Sequence, residues 1–220
     1  MVKSGEHVGI VHIMENLKSM KVKLVAYTPD PETLIAKAMR SCRTNESMDE
    51  LILPKPVEHY IKLAKSTGHL SVLEHASFTF SVKDVSRVLT HQLVRHRVAS
   101  YSQQSGRTII YKKPHMIIPK SYDKNSIWDR EGQAEKLMKK VFKFYNKLIM
   151  DGVPTEDARY ILPNGLLTNI TITMNARELL HFFKLRLDKS AQWEIREMAG
   201  LMLEEVKKVA PTIFSGEKNE

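Results

Sequence analysis

Strict alternation of apolar and polar residues over 76–83 constrains the fold of this chain more than any other feature. The apolar members are Ala76, Phe78, Phe80 and Val82, and the polar members are Ser77, Thr79, Ser81 and Lys83. Because successive side chains of a strand point to opposite faces, the pattern predicts a half-buried β-strand. The chain is therefore expected to build a sheet with one face in the core.

An amphipathic helix is predicted directly after this strand, over 84–97. At 3.6 residues per turn, its apolar stripe consists of Val85, Val88, Leu89 and Leu93. Gln92 and His96 fall inside that stripe, and Arg95 lies at its edge. Polar groups at core positions are costly unless a partner satisfies them, so this helix end needs an explanation.

Two interpretations of Arg95, His96 and Arg97 carry equal weight when these residues are taken alone. A bound anion would satisfy them, because an arginine fork matches phosphate oxygens in a bidentate way. Alternatively, they form a basic helix end that complements its own dipole. The polar turn that follows contains Ser102, Gln103, Gln104, Ser105, Gly106 and Arg107. Because this turn is rich in hydrogen-bond donors, it favours a ligand.

The rest of the chain predicts helices and strands without a repeat, a low-complexity linker or a shift in composition. Strands are predicted over 22–27, 108–111 and 168–175, and helices over 30–42, 57–65, a long segment ending near 151, 155–161 and 191–208. Another helix is predicted after Asn175, which pairs with Glu178 in a capping-box-like pattern. This helix carries Arg177, His181 and Lys184 on one face. Residues 112–131 are expected to be irregular. The fold predicted is a single α+β domain over 1–220, with a mostly antiparallel sheet packed against several helices.

Charge and cysteine content limit the partners and the compartment. The net charge is +9 and the pI is near 9.5, which favours anionic partners such as nucleotides or nucleic acid. Cys42 is the only cysteine, which excludes an intrachain disulfide and a cysteine-based zinc site and fits a reducing compartment. Residues 1–23 contain no adequate apolar run for a signal peptide or a membrane span. A cytoplasmic protein is therefore expected.

Several familiar site chemistries find no support in the sequence. The nine glycines form neither a Gly-x-Gly-x-x-Gly motif nor a phosphate-binding Gly-Lys-Ser/Thr loop. The four histidines between positions 69 and 96 lack the spacing of a helical metal pair, so no metal site is predicted. Ser105 has no triad signature and is expected to donate a hydrogen bond to a ligand. Cys42, on the apolar face of the first helix, is interpreted as a small buried hydrophobe.

The central motif and several ordered blocks carry a resemblance to a known family. Arg95-His96-Arg97, followed after seven residues by Ser105 and then by Arg107, resembles the signature of the flavin-dependent thymidylate synthases. Upstream, residues 69–75 resemble the block that precedes a Phe-x-Phe strand in that family. Later blocks occur in the family's order: Ala158-Arg159, Leu162-Pro163, Asn175-Ala176-Arg177, Leu185-Arg186 and Ala191-Gln192-Trp193-Glu194. The resemblance covers residues 22–211.

This resemblance implies an enzyme, an FAD-dependent thymidylate synthase. Members of the family transfer the methylene of 5,10-methylenetetrahydrofolate to C5 of dUMP to give dTMP. Reduced FAD supplies the hydride, and NADPH regenerates the reduced flavin. The family forms homotetramers in which each active site is built from several subunits. No nucleic-acid or membrane partner is implied.

The resemblance also implies roles for individual residues. Positions that match the dUMP site are Gln92, Leu93, Val94, Arg95, Gln103, Gln104, Ser105, Gly106, Arg107, Arg159 and Arg186. Positions that match FAD contacts are Ser71, Arg95, His96, Arg97, Gln103, Asn175, Ala176, Arg177 and His181. His69 matches a histidine at the flavin face that folate or nicotinamide approaches. Arg186 matches the catalytic arginine that polarises the uracil ring, where a guanidinium can stabilise negative charge as C5 becomes nucleophilic.

The local chemistry agrees with these roles, with two departures from the family pattern. Arg95, Arg107 and Arg159 are suited to a phosphate group. Ser102-Gln103 stands where many members carry Asn-Glu, and His181 stands where some members carry Asn. Both replacements keep hydrogen-bonding capacity.

Two rival functions remain to be compared with this one. A cysteine-dependent thymidylate synthase would need a thiolate on a substrate-facing turn, and Cys42 lies in the wrong context. A nucleic-acid-binding module would use the +9 charge and would spread basic residues over a face with exposed aromatic side chains. The inward-facing polar cluster favours a pocket instead. A flavin protein purified intact would be yellow, whereas a nucleic-acid-binding module would be colourless.

Overall fold

The computed structural model describes residues 20–111, 115–117, 119, 121 and 132–217. These residues belong to two compact units. The small unit comprises residues 86–88 and the described part of 104–168, and the large unit comprises residues 20–85, 89–103 and 169–217. The assignment of 1–220 to a single domain stays a prediction. Residues 1–19 and most of the segment predicted to be irregular lie outside the described residues.

Four strands form one sheet in the order β1-β2-β4-β3. Their bounds are Lys21–Tyr27 for β1, Ser77–Ser86 for β2, Ala99–Gln103 for β3 and Leu167–Asn175 for β4. β1 pairs antiparallel with β2, and β3 pairs antiparallel with β4. The pair of β2 and β4 is also antiparallel. At one end the Ala176 N–H donates to the Ala76 carbonyl, and at the other the Asp84 N–H donates to the side-chain oxygen of Asn169. The early residues of β2 therefore lie opposite the late residues of β4.

Seven helices accompany the sheet in the described part of the chain. They are α1 (Pro31–Ser41), α2 (Val57–Ser66), α3 (Arg87–Leu93), α4 (Gln133–Met150), α5 (Thr155–Ala158), α6 (Ala176–Arg186) and α7 (Trp193–Lys207). Two 3-10 helices span Leu70–His75 and Arg159–Ile161. None of the helices among the described residues combines the length and apolar character that crossing a membrane requires.

The core of the large unit follows from the alternation in β2. Phe78, Phe80 and Val82 are fully buried, and they are matched on β4 by buried Ile170 and Ile172. The covering layer comes from the apolar faces of α6 and α7 and from the turn after α7. Its aromatic rings interlock edge to face, with the Phe214 ring 5.7 Å from that of Phe78 and 5.8 Å from that of Phe183. The half-buried strand predicted from the sequence is confirmed.

The small unit has its own apolar cluster around α4. Phe142 and Leu166 are buried at its centre, and they are packed by Tyr111, Met116, Met138, Val141 and Leu162. The N–H of Tyr111 donates to the Tyr145 hydroxyl at 3.2 Å, which ties the segment after the polar turn to α4. The apolar spacing in the long helix predicts that Leu137 faces inward, but it is 56% exposed.

The α+β class with an antiparallel sheet is confirmed, but the basic helix is shorter than predicted. α3 begins at Arg87 rather than at Asp84, because β2 continues through Ser86 while Asp84 N–H is still bonded across to β4. It ends at Leu93, so Arg95, His96 and Arg97 follow the helix rather than close it. Val88, placed in the apolar stripe, is 40% exposed.

The prediction of a strand over 108–111 is wrong, and a strand that ends at Gln103, five residues before Thr108, was not predicted. Ala99–Gln103 forms β3 and pairs with β4, from Ala99 opposite Met174 to Gln103 opposite Ile170. Its serines, at positions 100 and 102, are exposed and belong to a residue type that does not favour strands. Residues 99–103 therefore form a strand because they pair with the edge of β4, since strand preference depends strongly on tertiary context.

The Asp30-Pro31 sequence predicts an N-cap followed by a first-turn proline for α1, and Asp30 does occupy the N-cap position. Its side chain makes no capping hydrogen bond, however, and its backbone lies in the left-handed region with φ 43°. The prediction for Cys42, at the other end of α1, is wrong. Cys42, interpreted as buried, is exposed, and its thiol donates to the Ala38 carbonyl at 3.3 Å. It lies one residue past the end of α1, where the helix face no longer faces the core.

Candidate active site

A tight turn after α3 directs His96 into the core of the large unit. The N–H of Arg95 donates to the Gln92 carbonyl at 3.2 Å, and that of His96 donates to the Leu93 carbonyl at 3.1 Å. The Tyr101 hydroxyl lies 2.9 Å from the Leu93 carbonyl oxygen and 2.8 Å from that of His96. Burial raises the pKa of Tyr101, so the phenol remains a donor. Its single O–H lies within reach of both carbonyl oxygens and ties the turn to β3, adding to the His96 N–H bond that the Leu93 carbonyl already accepts.

The buried His96 ring joins an acid to an arginine. Only 4% of His96 is exposed, with its Nδ1 2.9 Å from Glu178 Oε1 and its Nε2 3.1 Å from Arg186 Nε. Because a guanidinium can only donate, Nε2 accepts from Arg186, and the ring proton lies on Nδ1 and donates to Glu178. Burial lowers the pKa of His96 and Arg186 lowers it further, while the hydrogen bond to Glu178 opposes them. The ring is therefore neutral at pH 7.

Helix α6 carries both partners of His96. Asn175 begins the helix, and its side-chain oxygen accepts the Glu178 N–H at 2.8 Å, as the capping pattern predicts. The reciprocal half of the capping box does not form, because the Glu178 carboxylate bonds to His96 instead. A residue that the sequence marks as a helix cap is therefore also the buried acid of the site.

A cavity of about 820 Å³ opens along α6 in the large unit. Its size falls within the range of small-molecule sites, roughly 300–1,000 Å³. The predicted helix face of Arg177, His181 and Lys184 lines it. The other lining residues are Lys65, Leu70, Glu74, Val98, Asn175, Glu178, Leu180 and Glu217.

The residues predicted to contact FAD divide into two groups. Asn175, Arg177 and His181 line the cavity, whereas Ser71, Arg95, His96, Arg97, Gln103 and Ala176 are absent from its lining. Ala176 is buried, and its N–H donates to the Ala76 carbonyl at 2.8 Å. The His96 ring lies 5.8 Å from that of His181, so the buried His96 with its partners Glu178 and Arg186 is next to the cavity. His69 immediately precedes the 3-10 helix whose first residue, Leu70, lines the cavity.

The small unit brings together a second set of predicted residues. Arg107 Nε lies 2.9 Å from Glu156 Oε2, and Arg159 Nε donates to the Glu156 carbonyl at 3.1 Å. The Ser105 hydroxyl accepts the Arg107 N–H at 3.2 Å. One acidic residue therefore gathers two arginines that the sequence assigns to a phosphate.

Gly106 packs closely against this cluster. A Cβ at position 106 would lie 3.3 Å from Arg87 Nη2 and 3.4 Å from Arg159 Cδ, tighter than or at the limit of ordinary contact. The same Arg87 Nη2 donates to the Gln104 carbonyl and to the Tyr111 hydroxyl, both at 3.1 Å. Arg87 thus supports the polar turn, although its position at the start of α3 gave no signal of this in the sequence.

The residues predicted to bind dUMP are divided between the two units. The small unit holds Gln104, Ser105, Gly106, Arg107 and Arg159, and the large unit holds Gln92, Leu93, Val94, Arg95, Gln103 and Arg186. Leu93 is fully buried, so only its backbone is available to a ligand. The Gln103 amide donates to the Thr90 hydroxyl at 3.2 Å, a use of the amide that a glutamate could not reproduce.

Sequence reasoning missed several members of the site. Glu178 was interpreted only as a helix-capping residue, and Tyr101 was missed because it lies in β3, a strand that was not predicted. Glu156 and Arg87 belong to no motif. Among the described residues, no group of three histidine, cysteine, aspartate or glutamate side chains could hold a metal ion.

Comparison with known proteins identifies the class to which this fold and site belong. The family model described as thymidylate synthase complementing protein matches residues 23–212. The chain belongs to this family. A flavin-dependent thymidylate synthase of Geobacter sulfurreducens is 48% identical over 200 residues, covering 89% of this chain and 85% of the relative. One from Sulfurisphaera tokodaii is 49% identical over 202 residues, covering 89% and 76%. The resemblance found in the sequence is confirmed.

A solved structure supports the fold independently. The crystal structure of a UMP/dUMP methylase, PolB from Streptomyces cacaoi, bound with 5-Br dUMP, matches with a TM-score of 0.75. The match covers 90% of this chain and 93% of that chain at 23% identity. At this level of identity the comparison establishes the shared fold.

Proposed function

We propose that this protein is a flavin-dependent thymidylate synthase, which transfers the methylene of 5,10-methylenetetrahydrofolate to C5 of dUMP. Bound FAD supplies the hydride in its reduced form, and NADPH restores that form. The observation that carries the proposal is that Arg186 lies close to a cavity in the large unit. Arg186, at the position of the family's uracil-polarising arginine, donates to the buried His96. The His96 ring in turn contacts that of His181, which lines the cavity.

Arg186 has the donors that this role requires. Its Nε–H donates to His96, and the guanidinium has four further N–H groups, on its two Nη atoms, that can bind a ligand. Directed at the uracil ring, they stabilise the negative charge that develops as C5 becomes nucleophilic. Because the charge of arginine persists at any working pH, this stabilisation requires no proton transfer from Arg186.

The lining of the cavity fits FAD in its chemistry. Three cations, Lys65, Arg177 and Lys184, suit a pyrophosphate, and Asn175 and His181 supply polar groups. Arg177 is paired with Glu74, but both side chains are exposed, so a ligand can replace this partner. Apolar surface for a flavin ring comes from Leu70, Val98 and Leu180. The lining therefore combines the charge, hydrogen-bonding groups and apolar area that a dinucleotide with a large aromatic ring requires.

The nucleotide phosphate is assigned to the arginines at the positions that match the dUMP site. Arg107 and Arg159 lie together in the small unit through Glu156. Arg107 and Glu156 are both largely exposed, so their ion pair stabilises little and can be exchanged for a ligand. A phosphate offers the same charge-assisted hydrogen bonds to both guanidinium groups.

The finer features of the family are also proposed for this protein. It acts as a cytoplasmic homotetramer whose active sites are shared between subunits. Large apolar side chains exposed next to the basic motif, Val94 and Val98, are consistent with a covered surface there. Light scattering of the eluting protein during size-exclusion chromatography measures the mass directly, and a monomer would overturn the tetramer.

An absorption experiment tests the function. The purified protein is titrated with FAD and then reduced with NADPH under anaerobic conditions, with and without dUMP. We expect flavin bands that bleach faster with dUMP present, followed by dTMP formation once methylenetetrahydrofolate is added. Failure to bind flavin under any of these conditions would overturn the proposal and favour the nucleic-acid-binding alternative.

A further inference from the structure

We propose that Glu178 is a positioning residue for the reaction: its buried carboxylate fixes the tautomer of His96, and that tautomer holds Arg186 in place for the pyrimidine. This inference rests on the proposed function for the role of Arg186. It adds a residue that lies outside the Arg-His-Arg motif and that the comparison of sequence blocks did not assign.

The position of Glu178 explains how a carboxylate is tolerated in this core. Only 8% of the residue is exposed, yet it lies in the first turn of α6, where the helix dipole favours negative charge. Its backbone N–H is already bonded to Asn175. Among the described residues, the carboxylate has one hydrogen-bond partner, which is His96 Nδ1. The acid is therefore directed at a single atom.

The carboxylate determines which ring nitrogen of His96 carries the proton. With an anionic acceptor 2.9 Å from Nδ1, the proton lies on Nδ1 and the lone pair lies on Nε2. Only this tautomer can accept the N–H of Arg186 Nε, which is 3.1 Å away. In the other tautomer, and in the protonated ring, an Nε2–H would face the Arg186 N–H, and the bond would be lost.

Packing around His96 prevents the ring from moving away when an Nε2–H would face the Arg186 N–H. The Phe182 ring packs edge to face at 5.0 Å from His96, and the Tyr101 hydroxyl contacts the His96 carbonyl. The ring is nearly fully buried. Because its position is set by these contacts, the location of its single proton decides whether Arg186 is held.

Three variants separate this role from a general effect on folding. Glu178→Ala removes the acceptor, whereas Glu178→Gln keeps an oxygen that can accept the Nδ1 proton but removes the charge. Glu197→Gln is the matched control, because Glu197 is an exposed glutamate on α7. Far-ultraviolet circular dichroism and thermal unfolding check that each variant is folded. If Glu178→Ala does not fold, Glu178→Gln carries the test.

The tautomer is measured without any substrate. In protein labelled with ¹⁵N-histidine, the His96 resonances, assigned with a His96→Asn variant, report which nitrogen is protonated. We expect an Nδ1–H ring in the wild type and in Glu197→Gln, and a shift towards Nε2–H in Glu178→Ala. An unchanged tautomer in Glu178→Ala would overturn the inference and leave the proposed function untouched.

Kinetics then test the consequence for Arg186. We expect kcat to fall about 10- to 100-fold in Glu178→Ala, since a misplaced catalytic group typically costs that much, while Glu178→Gln recovers part of the loss. Because Glu178 also lines the cavity assigned to FAD, flavin affinity is measured separately for each variant, and kcat is compared at saturating FAD. Equal kcat in wild type and Glu178→Ala would overturn the role in positioning. A wild type without thymidylate synthesis would instead overturn the proposed function, with the tautomer measurement still interpretable.

The pH profile provides a readout that a purely structural role would leave unchanged. Within the described part of the chain, the ionisable groups that face His96 are Glu178, His181 and Arg186 from α6 and Tyr101 from β3. Protonation of His96 removes the acceptor for Arg186, so activity is expected to fall on the acid side. The Glu178 carboxylate stabilises the protonated His96 ring, so in Glu178→Gln the ring should be protonated only at lower pH. The pH below which activity falls should therefore be lower in Glu178→Gln than in the wild type. An unchanged pH dependence would show that Glu178 does not act through His96.

Discussion

The two sets of predicted site residues differ in how they are held. In the large unit, Glu178, His96 and Arg186 form a continuous set of hydrogen bonds around a nearly fully buried ring. In the small unit, Arg107 pairs with Glu156 while 71% and 50% of their side chains remain exposed. Buried polar groups must find protein partners, whereas exposed pairs exchange readily with water and ligands.

This difference suggests a division of labour within the proposed enzyme. The buried set fixes a guanidinium before any ligand arrives, which is the preorganisation that charge stabilisation in catalysis requires. The exposed set offers arginines whose present partner is weak and replaceable. We therefore expect changes in the buried set to lower turnover and changes in the exposed set to weaken dUMP binding.

Arg186→Ala should have the largest effect. Removing the donors that we propose face the pyrimidine is expected to lower kcat about 10²- to 10³-fold or more, as for other preorganised donors, while the flavin stays bound. Arg186→Lys keeps the charge but loses the planar fork and is expected to restore little. Steady-state dTMP formation and the flavin absorption spectrum measure the two effects. Near-normal turnover in Arg186→Ala would remove Arg186 from the mechanism.

Arg107→Ala and Arg159→Ala should raise the KM for dUMP and leave kcat less affected. A hydrogen bond to a charged group contributes about 1.5–3 kcal/mol. Losing one is therefore expected to weaken dUMP binding and to raise KM about tenfold or more in each variant. Lys140→Ala, which removes an exposed charge from α4 in the same unit, is the matched control. If kcat fell while KM stayed constant, the proposed contrast between the two sets would be wrong.

Protonation of His96 should make stability depend on pH. Burial lowers the pKa of His96 in the folded protein, so the unfolded chain binds the proton first as the pH falls. The free energy of unfolding should therefore be largest above about pH 6.5, the ordinary pKa of histidine, and should decline below it. Urea denaturation across this range measures the decline. His96→Asn should flatten it, whereas His91→Asn, at an exposed position, should not.

Glu156→Gln should have the smallest effect. Exposed ion pairs contribute about 0–1 kcal/mol, so the free energy of unfolding is expected to remain nearly constant. Because the carboxylate competes with a phosphate for Arg107, the KM for dUMP should fall slightly. Thermal unfolding and initial rates at low dUMP measure both quantities. A large increase in KM would show that Glu156 helps to bind the nucleotide rather than to hold its site.

Much of the fold could be predicted from periodic patterns. The alternation in β2 and the helix face of Arg177, His181 and Lys184 on α6 each depend on which side of one element is covered, and the local spacing of apolar and polar residues records this directly. The strand β3 could not be predicted this way, because Ser100 and Ser102 give no strand signal and the pairing comes from β4. The end of α3 was also misjudged, since it depends on Tyr101 from that strand.

The site itself shows the same limit at the level of single side chains. Residues in motifs, such as Arg95, Arg107, Arg159 and Arg186, could be assigned by resemblance, and the cavity face of α6 followed from helical spacing. The bond from Glu178 to His96 joins residues 82 positions apart. No pattern within either segment predicts it, because the same glutamate satisfies the sequence signature of a helix cap.

The sequence by itself determined the family, the α+β class, the alternating strands and the arginines available to anionic ligands. These properties depend on residue identity and on spacing along one element. Only the tertiary structure decided where α3 ends, which edge of β4 is covered by a polar strand, and which side chains contact the two ring nitrogens of His96. Those outcomes depend on groups from distant segments meeting in a core where every polar atom needs a partner.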